Sequence, residues 1–129
     1  MTAVNANING VVKSQLFYSP IRITHENGYI INPPAEPYHT FYFNHTGSKI
    51  IYLPSAASFD GIEFQFFYFK TTTTFDDNLW VGAPTNEHIW ANNSSNVIVQ
   101  VSSVNIVPNL ICTIKSMNGT WIVVSGSVQ

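Results

Sequence analysis

The feature that most constrains this chain is the alternation of apolar and polar side chains with a period of two. The clearest case is residues 61–70, where every second side chain from Ile62 to Tyr68 is apolar. The opposite face of the same run begins polar and becomes apolar at Phe67 and Phe69. Alternation of this kind is typical of a β-strand. The pattern predicts a long central strand whose far end is covered on both sides.

Shorter alternating runs follow one another along the chain, and no segment shows a sustained helical period. The step Asn118-Gly119 lies between two apolar runs. Because both residues tolerate positive φ, this step predicts a β-hairpin. Asn27-Gly28 predicts a second hairpin, which would join residues 21–24 to residues 29–32. In total the turn-bounded runs indicate about nine to eleven short strands.

These runs predict an all-β fold, and the long connections between several of them favour a jelly-roll-like antiparallel β-sandwich. A length of 129 residues suits one domain. We assign that domain to residues 8–129 and expect residues 1–7, which are small and polar, to form a loose N-terminal arm. Residues 82–95 hold Gly, Pro and an Asn/Ser cluster, so they predict a long excursion between two core strands.

Charged residues make up only 9% of the chain, against about 25% in an average soluble protein. An isolated domain normally keeps a charged surface. A surface with few charges can instead be covered by copies of the chain, or it can be kept hydrated by Asn, Ser and Thr. We take the deficit to favour a compact homo-oligomer, and we predict Tyr42, Phe67 and Phe69 as interface residues.

Several kinds of site are disfavoured by the sequence. The five Lys and Arg residues form no cluster, which argues against nucleic-acid binding. No apolar run reaches the roughly 18 residues of a membrane-spanning helix. His39 and His45 would lie about 20 Å apart along a strand, too far to share a metal. The single cysteine, Cys112, excludes an intrachain disulfide and is expected to be a small buried hydrophobe. We predict no metal and no cofactor.

Catalytic motifs are also lacking. The serines form no Gly-x-Ser-x-Gly turn. Glycoside hydrolysis needs two carboxylates at a fixed separation, and the spacing of carboxylates such as Asp76 and Asp77 selects no pair. We therefore predict a protein that is not an enzyme, with a glycan hydrolase as the least favoured alternative.

The candidate binding feature is aromatic. We place Trp80 and Trp90 in the predicted loop-rich excursion, accompanied by Asn78, His88 and Asn92. Flat amphipathic rings and short amides suit a sugar or a protein partner. The alternative is that both tryptophans fill the core or a subunit interface. The first possibility makes a monomeric carbohydrate-binding module the second hypothesis for this chain.

Two further segments carry a resemblance. Residues 49–61 read Lys-Ile-Ile-Tyr-Leu-Pro-Ser-Ala-Ala-Ser-Phe-Asp-Gly, and residues 118–126 read Asn-Gly-Thr-Trp-Ile-Val-Val-Ser-Gly. Together they resemble a module common at the ends of phage tail fibres and in other viral structural proteins. The resemblance covers residues 28–126 in outline, and residues 71–96 depart from it.

The resemblance implies a β-sandwich that usually trimerises and is exposed on a particle where receptors or glycans are met. It carries no catalytic residues. The expected function is therefore a non-enzymatic virion or fibre-type structural module for assembly or host attachment. Expected partners are two sister chains in a homotrimer, other virion proteins, and a cell-surface glycan or protein receptor. The expected location is the virion, assembled in the host cytoplasm.

The motif residues also have a plain physical reading. Leu53 is expected to anchor a strand end in the core, and Pro54 then ends the ladder. Gly61 admits the tight geometry that starts the next strand. Trp121 is expected to cover one end of the core with its indole N–H bonded to a partner.

Overall fold

The computed structural model describes residues 21–23, 26–33, 38–44, 47–71, 78–93 and 95–126. Within them the chain is all-β, as predicted, with eleven strands in two sheets and one short 3₁₀ helix. The two sheets are compatible with the predicted β-sandwich. The predicted arm at residues 1–7 lies outside the described residues. Among the residues described, no helix has the length and apolarity needed to span a membrane.

The strands are short and follow one another closely. They are β1 (Ile21–Ile23), β2 (Tyr29–Ile30), β3 (Thr40–Phe43), β4 (Lys49–Tyr52), β5 (Glu63–Tyr68), β6 (Leu79–Gly82), β7 (Ile89–Asn92), β8 (Ile98–Val101), β9 (Ser103–Asn105), β10 (Ile111–Met117) and β11 (Thr120–Ser125), with the 3₁₀ helix at Ala56–Phe59. The large sheet has the order β1-β3-β5-β10-β11-β7-β8, and the small sheet has the order β2-β4-β6-β9.

From β1 to β6, successive strands alternate between the two sheets. Strands β1, β3 and β5 are therefore parallel neighbours in the large sheet, and β2, β4 and β6 are parallel neighbours in the small sheet. Parallel strands cannot be joined by a tight turn, and here each connection passes through the opposite sheet. The predicted antiparallel pairing is wrong for five of the nine strand pairs among the described residues.

The hairpin predicted at Asn118-Gly119 is confirmed. Strands β10 and β11 pair antiparallel on either side of it. Asn118 and Gly119 have φ values of 53° and 72°, the left-handed geometry that such a two-residue turn requires.

The hairpin predicted at Asn27-Gly28 is wrong, because β1 and β2 belong to different sheets. Gly28 does have a positive φ of 81°, but the turn carries the chain from the large sheet to the small one. It is held there by Ile50, whose N–H donates to Asn27 Oδ1 at 3.0 Å and whose carbonyl accepts from Gly28 N at 2.8 Å.

One apolar cluster fills the space between the sheets. At its centre the ring of Phe41 stacks on that of Phe66, with the ring centroids 5.5 Å apart, and meets the ring of Phe64 edge-on, with the centroids 5.9 Å apart. Phe64 in turn contacts Trp121 at 5.9 Å. Strand β5 supplies Phe64 and Phe66 and pairs with a neighbour on each side. The prediction of a central strand at this position is therefore confirmed.

The segment between β4 and β5 crosses from the small sheet to the large one over the end of this core. Its backbone is tied to the C-terminal hairpin: Trp121 Nε1 donates to the carbonyl of Pro54 at 2.9 Å, and Ser116 Oγ donates to that of Ala56 at 2.8 Å. Gly61 N donates to the carbonyl of Ser116 at 2.8 Å. Trp121 is fully buried, so its predicted role at one end of the core is confirmed.

Gly126 offers a test of how closely β11 approaches β10. Its φ is 89°, and a Cβ there would meet the carbonyl oxygen of Ile111 and lie 2.7 Å from Cα of Cys112. Gly61 has a similar φ of 87° with nothing within 4 Å of its would-be Cβ.

We expect Gly61→Ala to lower the free energy of unfolding by about 1 kcal/mol, the cost of a left-handed backbone alone.

We expect Gly126→Ala to cost more, about 3 kcal/mol, because the backbone of β10 must also move. Urea unfolding of the two variants and the wild type measures both costs. Equal losses in the two variants would show that β11 does not approach β10 as described.

Candidate functional site

The two tryptophans proposed as ligand contacts lie on strands, so their predicted place in a loop-rich excursion is wrong. Trp80 is in β6 of the small sheet, and Trp90 is in β7 of the large sheet. Each is flanked along its strand by buried side chains. Both therefore face outward, from two different sheets, and they do not form one site.

The three polar candidates are equally dispersed. Asn78 is engaged within the chain, since its N–H donates to Ser48 Oγ at 3.0 Å and its side-chain oxygen accepts from Asn105 Nδ2 at 3.1 Å. His88 is exposed and lines a pocket beside the small sheet. Asn92 is exposed and lines a separate polar hollow. By alternation Asn78 shares a face with Trp80, and Asn92 shares one with Trp90.

The predicted interface residues, in contrast, lie together on the outer face of the large sheet. Tyr42 in β3 is opposite Phe67 in β5, and their rings are stacked at 6.0 Å with an interplanar angle of 9°. Phe69 follows Phe67 by two residues, and its ring also stacks on that of Tyr42, with the ring centroids 6.3 Å apart and an interplanar angle of 23°. Phe67 is half-buried and Phe69 is 42% exposed, so the predicted cover over this end of β5 is incomplete.

Ile111 extends this row by one strand, because it is the partner of Phe67 across the β5–β10 pair. Its side chain is 54% exposed. We call Tyr42, Phe67, Phe69 and Ile111 the aromatic ridge. Ile111 was not among the predicted interface residues, and its only signal in the sequence was the apolar pair Leu110-Ile111 at the start of a strand. A contiguous exposed apolar patch of this kind marks an interaction surface more often than a scattered residue does.

Comparisons with protein-family models, with curated proteins and with solved structures return no match. Function is therefore inferred from the sequence and the geometry of the chain itself.

Titratable groups near one another are sparse in the described residues. No three His, Cys, Asp or Glu side chains among them are placed to hold a metal ion. His39 Nδ1 lies 3.2 Å from the carbonyl of Glu63, while His45, Asp76 and Asp77 lie outside the described residues.

Cys112 is the one thiol of the chain, and it is buried between the sheets as predicted. Burial disfavours the thiolate and raises the pKa of Cys112 from 9.0 to about 11. The thiolate is the reactive form, so the folded thiol is inert near neutral pH.

We expect Cys112 in the native protein at pH 8 to react with Ellman's reagent at least about 100-fold more slowly than in guanidinium chloride. The factor follows from the fraction of thiolate at pH 8, which is about 100-fold smaller for a pKa of about 11 in the folded protein than for a pKa of 9.0 in the unfolded chain. Steric protection of the buried thiol would slow the reaction further. Absorbance at a fixed reagent concentration measures both rates. Native labelling as fast as denatured labelling would contradict the burial of this thiol.

Proposed function

We propose that this protein is a non-enzymatic structural module of a virion or fibre-type particle, and that its copies associate through the aromatic ridge into a homotrimer. The observation that carries the proposal is the ridge itself: three stacked rings and an exposed isoleucine on one row of the large sheet. Association would remove this apolar surface from water, at about 25 cal/mol for each Å² buried.

The ridge is organised before any partner arrives. Tyr42 is stacked against both Phe67 and Phe69 within the chain, and β3, β5 and β10 hold the backbone on three adjacent strands. Side chains that are already ordered lose little conformational entropy on association. This favours a stable subunit contact over a transient one.

The surroundings of the ridge suit an interface centre with a polar rim. Two positions along the same face of β5 stands Gln65, and two further on stands Glu63, whose partner in β10 is Lys115, a residue of opposite charge. Interfaces commonly have an apolar centre and a charged or polar edge. With only 9% charged residues in the whole chain, little charge repulsion opposes the approach of copies.

Three copies, and a place in a particle, are supported by the resemblance of residues 49–61 and 118–126 to fibre-tip modules. In such a particle the partners would be other virion proteins and a cell-surface glycan or protein receptor, and assembly would take place in the host cytoplasm. Trimerisation through the ridge does not require the jelly-roll order, which stays a prediction. A monomeric carbohydrate-binding module is the alternative, and the oligomeric state separates the two.

We expect the wild-type protein to sediment as a trimer at micromolar concentration, and Ile111→Lys to shift it towards monomer by at least about tenfold in dissociation constant. A lysine in the ridge would leave a charge without solvent or partner in the interface. Val97→Lys is the matched control, because Val97 and Ile111 are equally exposed, at 54%, and Val97 directly precedes β8, the edge strand of the large sheet farthest from the ridge.

Sedimentation equilibrium over a range of concentrations measures both variants and the wild type, and circular dichroism checks that each is folded. A wild-type monomer throughout the range would overturn the proposed assembly. Equal dissociation by both lysine variants would place the interface elsewhere.

A further inference from the structure

A pocket of about 670 Å³ opens beside the small sheet, and none of the residues of the aromatic ridge lines it. Strands β2 and β4 supply Ile30 and Tyr52 to its wall, and the turn after β6 supplies Asn86, Glu87 and His88. Ser102, between β8 and β9, completes the polar side. The volume of the pocket lies within the range of about 300–1,000 Å³ found for small-molecule sites.

The aromatic wall of the pocket depends on a glycine. Tyr52 is opposite Gly82 in the β4–β6 pair, and a Cβ at Gly82 would lie only 3.1 Å from Cδ1 and Cε1 of the Tyr52 ring. The ring therefore occupies the space that a side chain at position 82 would fill. With Tyr52 still 36% exposed, this contact fixes one side of the ring and leaves part of it open to the pocket.

The polar wall is equally fixed. Glu87 Oε1 accepts a hydrogen bond from Ala56 N at 2.9 Å, and Glu87 N donates to the carbonyl of Pro84 at 3.0 Å. Ala83 N donates to the carbonyl of Ser102 at 2.9 Å, which ties the turn to the β8–β9 connection. The carboxylate of Glu87 thus reaches the pocket in a set position with a second oxygen that can accept from a ligand.

The chemistry of the lining selects a class of ligand. An exposed tyrosine ring and Ile30, which is 63% exposed, offer an apolar surface to C–H groups. Asn86, Glu87, His88 and Ser102 offer hydrogen bonds at the opposite side. Among the described residues the lining contains a carboxylate and neither Lys nor Arg, so it disfavours anionic ligands such as phosphates and sialylated sugars.

We propose that this pocket binds a neutral saccharide, with the C–H face of the sugar ring against Tyr52 and its hydroxyls bonded to Glu87, Asn86 and Ser102. Trp80 and Trp90 are not part of its lining. The proposal goes beyond trimer assembly and does not depend on it, because the pocket is formed by one chain alone.

The test is a titration of the full ¹⁵N-labelled chain with the methyl glycosides of glucose, galactose and mannose and with N-acetylglucosamine, using 3′-sialyllactose as the anionic probe. We expect at least one neutral sugar to shift the amide resonances of residues 85–88 and 102, and the sialylated sugar to bind at least about tenfold more weakly. Saturation-transfer difference spectra should show the sugar C–H protons closest to the protein.

Two pairs of variants locate the site. Asn86 has a φ of 67° and Asn96, away from the pocket, a φ of 59°. Glycine accepts both conformations, so Asn86→Gly removes the side chain without straining the backbone, and Asn96→Gly is its matched control. We expect about 3- to 10-fold weaker binding for Asn86→Gly and for Tyr52→Leu, and little change for Asn96→Gly and Tyr52→Phe.

The absence of shifts at residues 85–88 and 102 with every neutral sugar would overturn the proposal. So would tighter binding of 3′-sialyllactose, or affinity unchanged by both Asn86→Gly and Tyr52→Leu. Trimer assembly is read out separately by sedimentation, so the failure of one proposal is distinguishable from the failure of the other.

Discussion

The fold depends on the hydrogen bonds that join the crossing after β4 to the C-terminal hairpin. A chain that passes from one sheet to the other over the end of a core leaves backbone groups without ladder partners, and leaving them unpaired is costly. Here Trp121 and Ser116 donate to the carbonyls of Pro54 and Ala56. The partners are 67 and 60 residues apart in sequence, so the last two strands close the crossing made far earlier.

The two sheets are completed in a similar way. Strand β5 is parallel to β3 on one side and antiparallel to β10 on the other, and β6 is parallel to β4 and antiparallel to β9. In both sheets, the parallel strands of the first half are therefore covered at one edge by a strand from the second half. Ser116 lies where this happens in the large sheet: its N–H donates to the carbonyl of Ile62 at 2.9 Å and its carbonyl accepts from Gly61. An open edge at β5 would otherwise expose unpaired backbone groups to other chains.

Local pattern predicted the faces of the strands better than their directions. Alternation identified β5 and its buried side chains, and Asn118-Gly119 identified the hairpin, because both signals lie within a few residues. Strand direction is set by contacts between distant segments, so at Asn27-Gly28 the positive φ of Gly28 serves a crossing between the sheets. The strands that hold Trp80 and Trp90 have four residues each, and the nearby glycine, proline and asparagine signals concealed them. Among the predicted interface residues, Phe67 and Phe69 stood out in the pattern of one strand, whereas Ile111 joins them only through the β5–β10 register.

The arrangement of two sheets around one core gives this small protein two outward faces with different chemistry. The aromatic ridge lies on the large sheet, where stacked rings favour a flat contact with another protein surface. The pocket lies beside the small sheet, where a turn and two strands combine an exposed ring with a carboxylate and short polar groups. Because the two surfaces belong to different sheets, covering the ridge in an assembly leaves the pocket open. Repetition of the subunit would then present several copies of one weak site, and simultaneous binding of linked sites raises the overall affinity without any new contact.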